Sequence, residues 1–229
     1  MSLMTLAALC AAALGGGKPA PAGTDCLAVA RQYQSAIVAL VPVLTTPSNR
    51  DAIARVAYAE AGNQGDSGLA GVVYTIVNRL IDGGFGAAVT EVLDAPGQFE
   101  PVGRAGGWQR LPARSAVEQA HIDTILNLTL DGHLPDPTNG ARYFQNPKIV
   151  ASRVAAGTAS VGMVDFGGQA PTATIKDHSF YDVGGHASAA RTVGTPLFVP
   201  VQTSSSPSGE GLGDGAPQQP ASLFVPLSR

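Results

Sequence analysis

The sequence predicts a mainly α (α+β) domain, helical in most of its length with a small extended region. Segments between residues 26 and 132 place apolar residues three and four positions apart, the spacing of one helix face. After residue 132 turn-forming and aromatic residues take over, which indicates short strands. After Gly194 both patterns are lost. We therefore divide the chain into an apolar segment with linker (1–25), a leading helix (26–47), the main domain (48–185) and an extended tail (186–229).

Composition excludes one broad class of function and permits a compact core. The 229 residues suit one ordinary domain with tails, and 45% of them are hydrophobic. The net charge is only −3, and no cluster of basic residues occurs. We therefore expect no nucleic-acid partner, because proteins that bind nucleic acids carry basic patches that neutralise phosphates.

The first residues, MSLMTLAALCAAALGGGKPAPAG, form a short apolar run. The run is too short and too rich in Ala for a stable membrane span. It is similar to the apolar part of a signal peptide, but no Lys or Arg precedes it. We expect a retained segment, held by a partner. Cys10 and Cys26 form a disulfide in an oxidising compartment or remain two free thiols, and the sequence leaves both options open.

One helix is predicted before, and one after, the segment that contains Glu60. The leading helix is expected to end near Pro42. The helix in DSGLAGVVYTIVNRLIDGG has the strongest amphipathic pattern of the chain. We expect Asp66 or Ser67 to cap its start and Gly83 to end it. A short helix over 88–94 and a loop over 95–101 follow.

Between these helices, a glutamate lies where the pattern asks for an apolar residue. We expect a helix that begins in PSNRD with Ser48 as N-cap and ends at a left-handed Gly62. Its apolar face consists of Ile53, Val56, Ala57 and then Glu60. Burial and the negative end of the helix dipole would both raise the pKa of Glu60, as suits a general acid. Alternatively, Glu60 leans into solvent and pairs with Arg79 or Arg55.

The second half of the chain begins with one more long helix. PARSAVEQAHIDTILNLTLDG predicts a helix with Val117, His121, Ile125 and Leu128 on one side, ended by Gly132. We expect His121 to serve in packing. HLPDPTNGARYFQNP then reads as a turn followed by an extended piece, and IKDHSFYDVGG as a short strand or hairpin arm.

The tail contains the same short peptide twice. PLFVPV (196–201) recurs as SLFVPL (222–227), with a flexible linker between the two copies. One interpretation is a pair of docking peptides that gain avidity on a partner. The other is coincidence, or two strands that cover the surface of the chain's own domain.

Four motifs in order resemble the SleB-type cell-wall hydrolases, the spore cortex-lytic group. They are ARVAYAEAGNQGDSGLAGVVYTIVNR (54–79), GQFEPV (97–102), DPTNGARYFQNP (136–147) and HSFY (178–181). The resemblance covers roughly residues 50–181. It departs from the family at the turn, where Gly-Asn-Gln-Gly stands in place of the usual Arg-Gly-Glu.

The resemblance implies a small lysozyme-like domain that cleaves the glycan strands of peptidoglycan, with Glu60 as the catalytic acid. In the lytic transglycosylase form of this chemistry, one glutamate protonates the glycosidic oxygen and then deprotonates the muramic acid hydroxyl. No metal and no organic cofactor is implied. A water-using glycosidase would need a second carboxylate, for which Asp66, Glu100 and Asp136 are candidates. Asp66 is better explained as a helix cap and Asp136 as a turn residue.

The motifs also supply candidates for substrate binding. Aromatic residues would stack on sugar rings, amides would donate to N-acetyl groups, and Gln98 would position substrate or acid. For Phe144, packing in the core is an equal alternative. For His178, the alternative is a structural role in a strand. Trp108 is either a platform for a sugar ring or a plug over the core. The candidate substrate-binding residues are Gln98, Phe99, Asn139, Tyr143, Asn146, His178 and Tyr181.

This interpretation places the protein at the cell wall. We expect a location in the cell envelope, the periplasm or outside the cell, or on a phage-like particle that must breach the wall. Virion or tail proteins would then bind the N-terminal segment and the two tail peptides. The competing interpretation is a non-catalytic structural or adaptor component of a virion or envelope, and a glycan-binding module is a third.

Overall fold

The computed structural model describes residues 3–14 and 20–183, and this part of the chain is mainly helical with one small sheet, as predicted. The eight helices of more than four residues are α1 (Leu3–Leu14), α2 (Cys26–Leu44), α3 (Pro47–Ala61), α4 (Gly65–Asp82), α5 (Val89–Asp94), α6 (Glu100–Ala105), α7 (Ala116–Leu130) and α8 (Pro147–Ala155). The strands are β1 (Tyr143–Gln145), β2 (Ala173–Ile175) and β3 (His178–Tyr181). They pair antiparallel in the order β1-β3-β2, with Phe144 opposite Phe180.

Helix α4 is the central element of the core. Every residue from 68 to 80 is buried, which fits its nearly all-round apolar sequence. Helices α3, α5 and α7 and strand β2 pack around it. Gly71 allows the sheet to approach, because a Cβ at this position would lie 2.6 Å from Cζ of Phe180.

The predicted helix caps are partly wrong. Thr46, not Ser48, is the N-cap of α3: its Oγ1 accepts from the Asn49 N–H at 3.4 Å, since Pro47 takes the first helical position. Gly62 does end α3, but with a right-handed φ of −59°; the left-handed residue is Gly65.

The start of α4 also differs from the prediction, whereas its end agrees. The helix begins at Gly65, so neither Asp66 nor Ser67 is its N-cap, and the N-cap residue Gln64 makes no side-chain capping bond. Gly83 ends α4 in the left-handed conformation, as predicted.

Helix α2 ends at Leu44, two residues past Pro42, so it ends close to where the sequence predicts. Leu44 is fully buried, and this anchorage offsets the hydrogen bond that proline cannot donate. By length and composition alone α2 is able to cross a membrane, and most of it is not buried. Buried core helices and signal sequences near an N-terminus meet the same criteria of length and composition, so the absence of a membrane span stays a prediction.

The N-terminal segment forms α1, which contacts α2 and α4 of the same chain. Of the two options for the cysteines, the structure has the disulfide between Cys10 and Cys26. Met4 is buried beside Gly140, where a Cβ would lie 2.8 Å from the Met4 carbonyl carbon. The segment therefore packs on its own domain.

Helix α7 forms as predicted, but it buries a different face. Ser115 and Glu118 make a capping box at its start. Val117 is 80% exposed and Leu128 38% exposed, whereas the buried residues are Ile122, Ile125, Leu126, Thr129 and Leu130. The sequence carries two overlapping apolar stripes, and contact with α3 and α4 selects the second.

Helices α6 and α8 are not in the sequence prediction, whereas the extended pieces near 143 and 178 are, and they form the sheet. The two copies of Leu-Phe-Val-Pro, like the rest of the predicted tail (186–229), lie outside the described residues.

Candidate active site

A cleft of about 360 Å³ opens between the end of α3, helix α6, the sheet and helix α8. Its walls mix charged, amide and aromatic side chains, the composition of a site for a polar ligand with apolar faces. The lining residues used below are Glu60, Arg79, Gln98, Glu100, Arg104, Tyr143, Phe144, Asn146, Arg153, Gly162, Met163, Phe166 and His178.

Glu60 reaches the cleft because it continues the buried face of α3. Ile53, Val56 and Ala57 on that face are fully buried, and Glu60 follows one turn later. Its Oε1 atom is buried and has no hydrogen-bond partner. In the described part of the chain Glu60 makes no ion pair, and the alternative partner Arg55 is bound to Asp51 at 2.9 Å.

Burial raises the pKa of Glu60 to about 7, and the negative charge of Glu100 acts in the same direction. The cations Arg79 and Arg104 and the backbone N–H of Glu100 oppose this rise in pKa. Near neutral pH the carboxyl group therefore exists in both protonation states. Such a group can give up a proton and take one back, which is what a general acid that later acts as a base requires.

Arg79 lies on the floor of the cleft and is 2% exposed. Its Nε donates to the carbonyl oxygen of Arg142 at 2.7 Å, but its Nη1 is buried without a hydrogen-bond partner. The guanidinium is 4.7 Å from the ring centroid of Phe99 and 4.9 Å from that of Phe85. Burial lowers the pKa of Arg79 to about 10, so it stays a cation at neutral pH.

Arg79 differs from Arg142, the other buried arginine of this region, in having no carboxylate partner within the described residues. Arg142 pairs with Asp82 at 2.6 Å and with Asp182, so these two carboxylates neutralise its charge. Arg79 makes no ion pair in the described part of the chain. A buried cation without a carboxylate partner lowers stability. The charge of Arg79 stabilises the ionised form of Glu60 in the cleft.

Glu100 is the second carboxylate of the cleft, and it is held by two arginines. Arg153 Nη2 binds both of its oxygens, at 2.7 and 2.9 Å, and Arg104 lies at 3.2 Å. These ion pairs fix the orientation of Glu100, and its negative charge still raises the pKa of Glu60.

The other two candidate carboxylates lie outside the cleft. Asp66 is exposed and contacts His121 at 3.3 Å, and it is not the helix cap we expected. Asp136 accepts from the backbone N–H groups of Thr138 and Gly140, each at 2.8 Å, so it organises its turn as the alternative interpretation held.

The structure brings five of the predicted site residues together. Gln98, Tyr143, Asn146 and His178 line the same cleft as Glu60. Asn146 also serves as the N-cap of α8, where its side chain accepts from the N–H of Lys148 at 3.1 Å. The sugar-binding roles of these residues stay predictions.

Three predicted site residues do not line the cleft. Phe99 is 1% exposed and lies behind the wall against Arg79, and Tyr181 is fully buried in β3. Asn139 has a φ of +56° in its turn, and its amide donates to the Thr172 carbonyl oxygen at 2.9 Å.

The two histidines and the tryptophan from the sequence analysis occupy distinct environments. His178 lies beside the ring of Phe144 at 5.3 Å, and burial lowers its pKa, so it is neutral at pH 7. His121 lies outside the cleft and its Nδ1 is 3.1 Å from the hydroxyl of Tyr58. Trp108 is buried in the core, as the plug alternative held.

Sequence reasoning missed several cleft residues. Arg104 and Arg153 belong to helices that the pattern does not predict, and Met163 and Phe166 follow α8 in a stretch without any periodicity. Arg79 carried a usable signal, because it is a charge within the apolar run of α4, as Glu60 is within that of α3. Among residues 3–14 and 20–183 no group of three or more His, Cys, Asp or Glu side chains is placed to hold a metal ion.

One comparison with known proteins gives a match. The family model described as Cell Wall Hydrolase matches residues 63–181, just over half of the chain, from the turn after Glu60 to the last residue of β3. No curated protein and no solved structure matches. The match covers all three later motifs and most of the walls of the cleft. The chain belongs to the Cell Wall Hydrolase family.

Proposed function

We propose that the protein cleaves the glycan strands of peptidoglycan as a lytic transglycosylase, with Glu60 as its single catalytic acid and base. Family membership supports the coarser statement, an enzyme that acts on the peptidoglycan of the cell wall. The observation that carries the finer proposal is the partly buried Glu60 side chain at the cleft, with a buried Oε1 that has no hydrogen-bond partner and a pKa raised to about 7.

The proposed reaction has two proton transfers at one carboxyl group. Protonated Glu60 donates its proton to the glycosidic oxygen as the bond from C1 of the muramic acid to that oxygen breaks. The Glu60 carboxylate then removes the proton from the C6 hydroxyl of the same sugar, and O6 forms a bond to C1. The product is a 1,6-anhydro sugar, no water is consumed, and Glu60 regains its proton.

A non-hydrolytic route is favoured because no second carboxylate is free in the described cleft. Hydrolysis needs a carboxylate across the bond to activate water or to attack C1. Glu100 is the sole further carboxylate among the described lining residues, and it is bound by Arg153 and Arg104. Glu100 therefore suits an electrostatic role toward Glu60 better than the role of a free base.

The experiment is a comparison of two isosteric variants on purified peptidoglycan. Glu60→Gln keeps the shape of the side chain and removes its proton, so we expect release of soluble muropeptides to fall at least a thousandfold. Glu100→Gln is the matched control in the same cleft and is expected to retain measurable lysis at its own optimum pH. Lysis near the wild-type rate by Glu60→Gln would disprove the assignment.

We further propose that the protein works outside the cytoplasm, at the cell envelope or on a particle that breaches it. The disulfide between Cys10 and Cys26 supports an oxidising compartment. The repeated Leu-Phe-Val-Pro peptide of the tail supports attachment to a larger assembly through two equivalent sites. Fractionation of producing cells and their particles, with detection of the chain by antibody, tests this location.

A further inference from the structure

The segment after α8 forms one wall of the cleft. It consists of a single 3-10 turn, Val161–Met163, and the turn Asp165–Gly168. Gly162, Met163 and Phe166 of this 161–168 segment line the cleft. None of its residues is fully buried, so packing against the core does not fix its position.

The turn at the end of this segment has an unusual backbone. Four successive residues have positive φ: Asp165 at 48°, Phe166 at 47°, Gly167 at 83° and Gly168 at 85°. Glycine adopts this conformation freely and aspartate tolerates it, but phenylalanine avoids it because Cβ approaches the following carbonyl oxygen. A strained residue such as Phe166 persists only where its surroundings hold it.

The holding contacts all come from the sheet. The Tyr181 hydroxyl donates to Asp165 Oδ1 at 2.6 Å, and Nε2 of Gln145 approaches the same oxygen at 3.3 Å. The ring of Phe166 lies 5.0 Å from that of Tyr181 and 5.5 Å from that of Tyr143. The strained turn is thus fixed to β1 and β3 through the carboxylate of Asp165 and the ring of Phe166.

We propose that Phe166 and Met163 contact a sugar ring of the bound glycan, and that Tyr181 is the positioning residue that holds them in place through Asp165. This inference rests on the proposed function, because it names the wall against which the glycan would lie. A pyranose has an apolar C–H face that packs on aromatic rings, and an adjacent thioether adapts to its shape. Tyr181 is fully buried, so in this proposal it acts on the glycan only through the position of Phe166 and Met163.

The first test removes the hydroxyl of Tyr181. Tyr181→Phe keeps the ring contact with Phe166 and deletes the bond to Asp165. With soluble glycan strands as substrate, we expect KM to rise about tenfold, which equals about 1.4 kcal/mol, while kcat stays within about twofold. Tyr74→Phe is the matched control: the buried Tyr74 hydroxyl donates to the Leu134 carbonyl oxygen, and its loss should leave KM unchanged.

Rescue at Asp165 separates positioning from general damage to the fold. Asp165→Asn keeps an oxygen that accepts from Tyr181 and tolerates positive φ, so its KM should stay near wild type. Asp165→Ala loses the acceptor and also places alanine at a positive φ, so its KM should rise at least as much as in Tyr181→Phe. Phe166→Ala should raise KM at least as much, because it removes the contact itself.

Amide hydrogen exchange tests the anchor without catalysis. The Gln169 N–H donates to the Asp165 carbonyl oxygen at 2.7 Å, and we expect its exchange to accelerate about tenfold in Tyr181→Phe but not in Asp165→Asn. Unchanged exchange in Tyr181→Phe would overturn the anchor. Wild-type KM in Phe166→Ala, in an assay where the native chain cuts glycan, would overturn the sugar contact. If the native chain cuts no glycan, the proposed function fails, and binding of glycan strands to Phe166→Ala decides the contact.

Discussion

Replacing Glu60 by Gln should make the protein more stable at alkaline pH. The folded-state pKa of Glu60 is raised from 4.5 to about 7, chiefly by burial. The contribution of a group with a raised pKa is fully present below its unfolded pKa and is lost as pH rises through its folded pKa. The native chain should therefore lose stability between about pH 4.5 and pH 7, and a neutral glutamine should not.

The raised pKa of Glu60 sets a ceiling on this gain in stability. A pKa difference of 1 corresponds to about 1.4 kcal/mol, so the rise from 4.5 to about 7 gives a ceiling of about 3.5 kcal/mol. Water that reaches the open side of the cleft reduces it, and we expect Glu60→Gln to gain about 1–3 kcal/mol over the native chain at pH 8.5. At pH 4 the two chains should differ little.

The assay is urea unfolding of both chains at pH 4 and pH 8.5. The informative quantity is the change in the stability difference between the two pH values, because it cancels effects of the substitution that do not depend on charge. Glu118→Gln is the control: the backbone N–H of Ser115 lowers the pKa of this exposed carboxylate, so its variant should gain nothing at pH 8.5. A stability difference between Glu60→Gln and the native chain that is the same at pH 4 and pH 8.5 would refute the burial argument.

Three further predictions concern the cleft, the disulfide and the tail. Glu100→Gln removes a negative neighbour of Glu60, so the alkaline limb of the pH–activity profile should move to lower pH. Arg79→Gln removes a cation, so the same limb should move to higher pH. Shifts in the same direction for both variants would contradict the account. Reduction of the Cys10–Cys26 disulfide should lower the free energy of unfolding by about 3 kcal/mol, measured by urea unfolding with and without reductant, and an unchanged midpoint would contradict it. A chain that ends after Gly194 should keep lysis of purified wall but not enter particles; normal entry, or loss of solubility, would contradict docking by the tail.

The position of Glu60 was predictable from sequence because helix periodicity fixes which residues share a face. Ile53, Val56 and Ala57 are fully buried, and the carboxyl group lies one turn further on the same face. The extended motifs near residues 143 and 178 likewise form the sheet beside the cleft. In both cases local pattern and tertiary packing agree.

The parts that escaped prediction depend on contacts between distant segments. Helix α7 carries two overlapping stripes, and its neighbours α3 and α4 decide which is buried. The sequence around Met163 and Phe166 has no periodic pattern. The conformation of this wall depends on the bond between Asp165 and Tyr181 of β3, and sequence patterns do not encode such a contact. The burial of Arg79 under aromatic rings depends on Phe99, next to α6, and on Tyr143 of β1, which are both distant in sequence.

The most direct test of the central claim is the chemistry of the product ends. Peptidoglycan is digested with the native chain in water enriched in ¹⁸O, and the glycan fragments are analysed by mass spectrometry. A single-acid transglycosylase should yield 1,6-anhydromuramyl ends without ¹⁸O, and these ends should disappear with Glu60→Gln. Reducing muramic acid ends that carry one ¹⁸O would contradict the account and assign the water-activating role to Glu100.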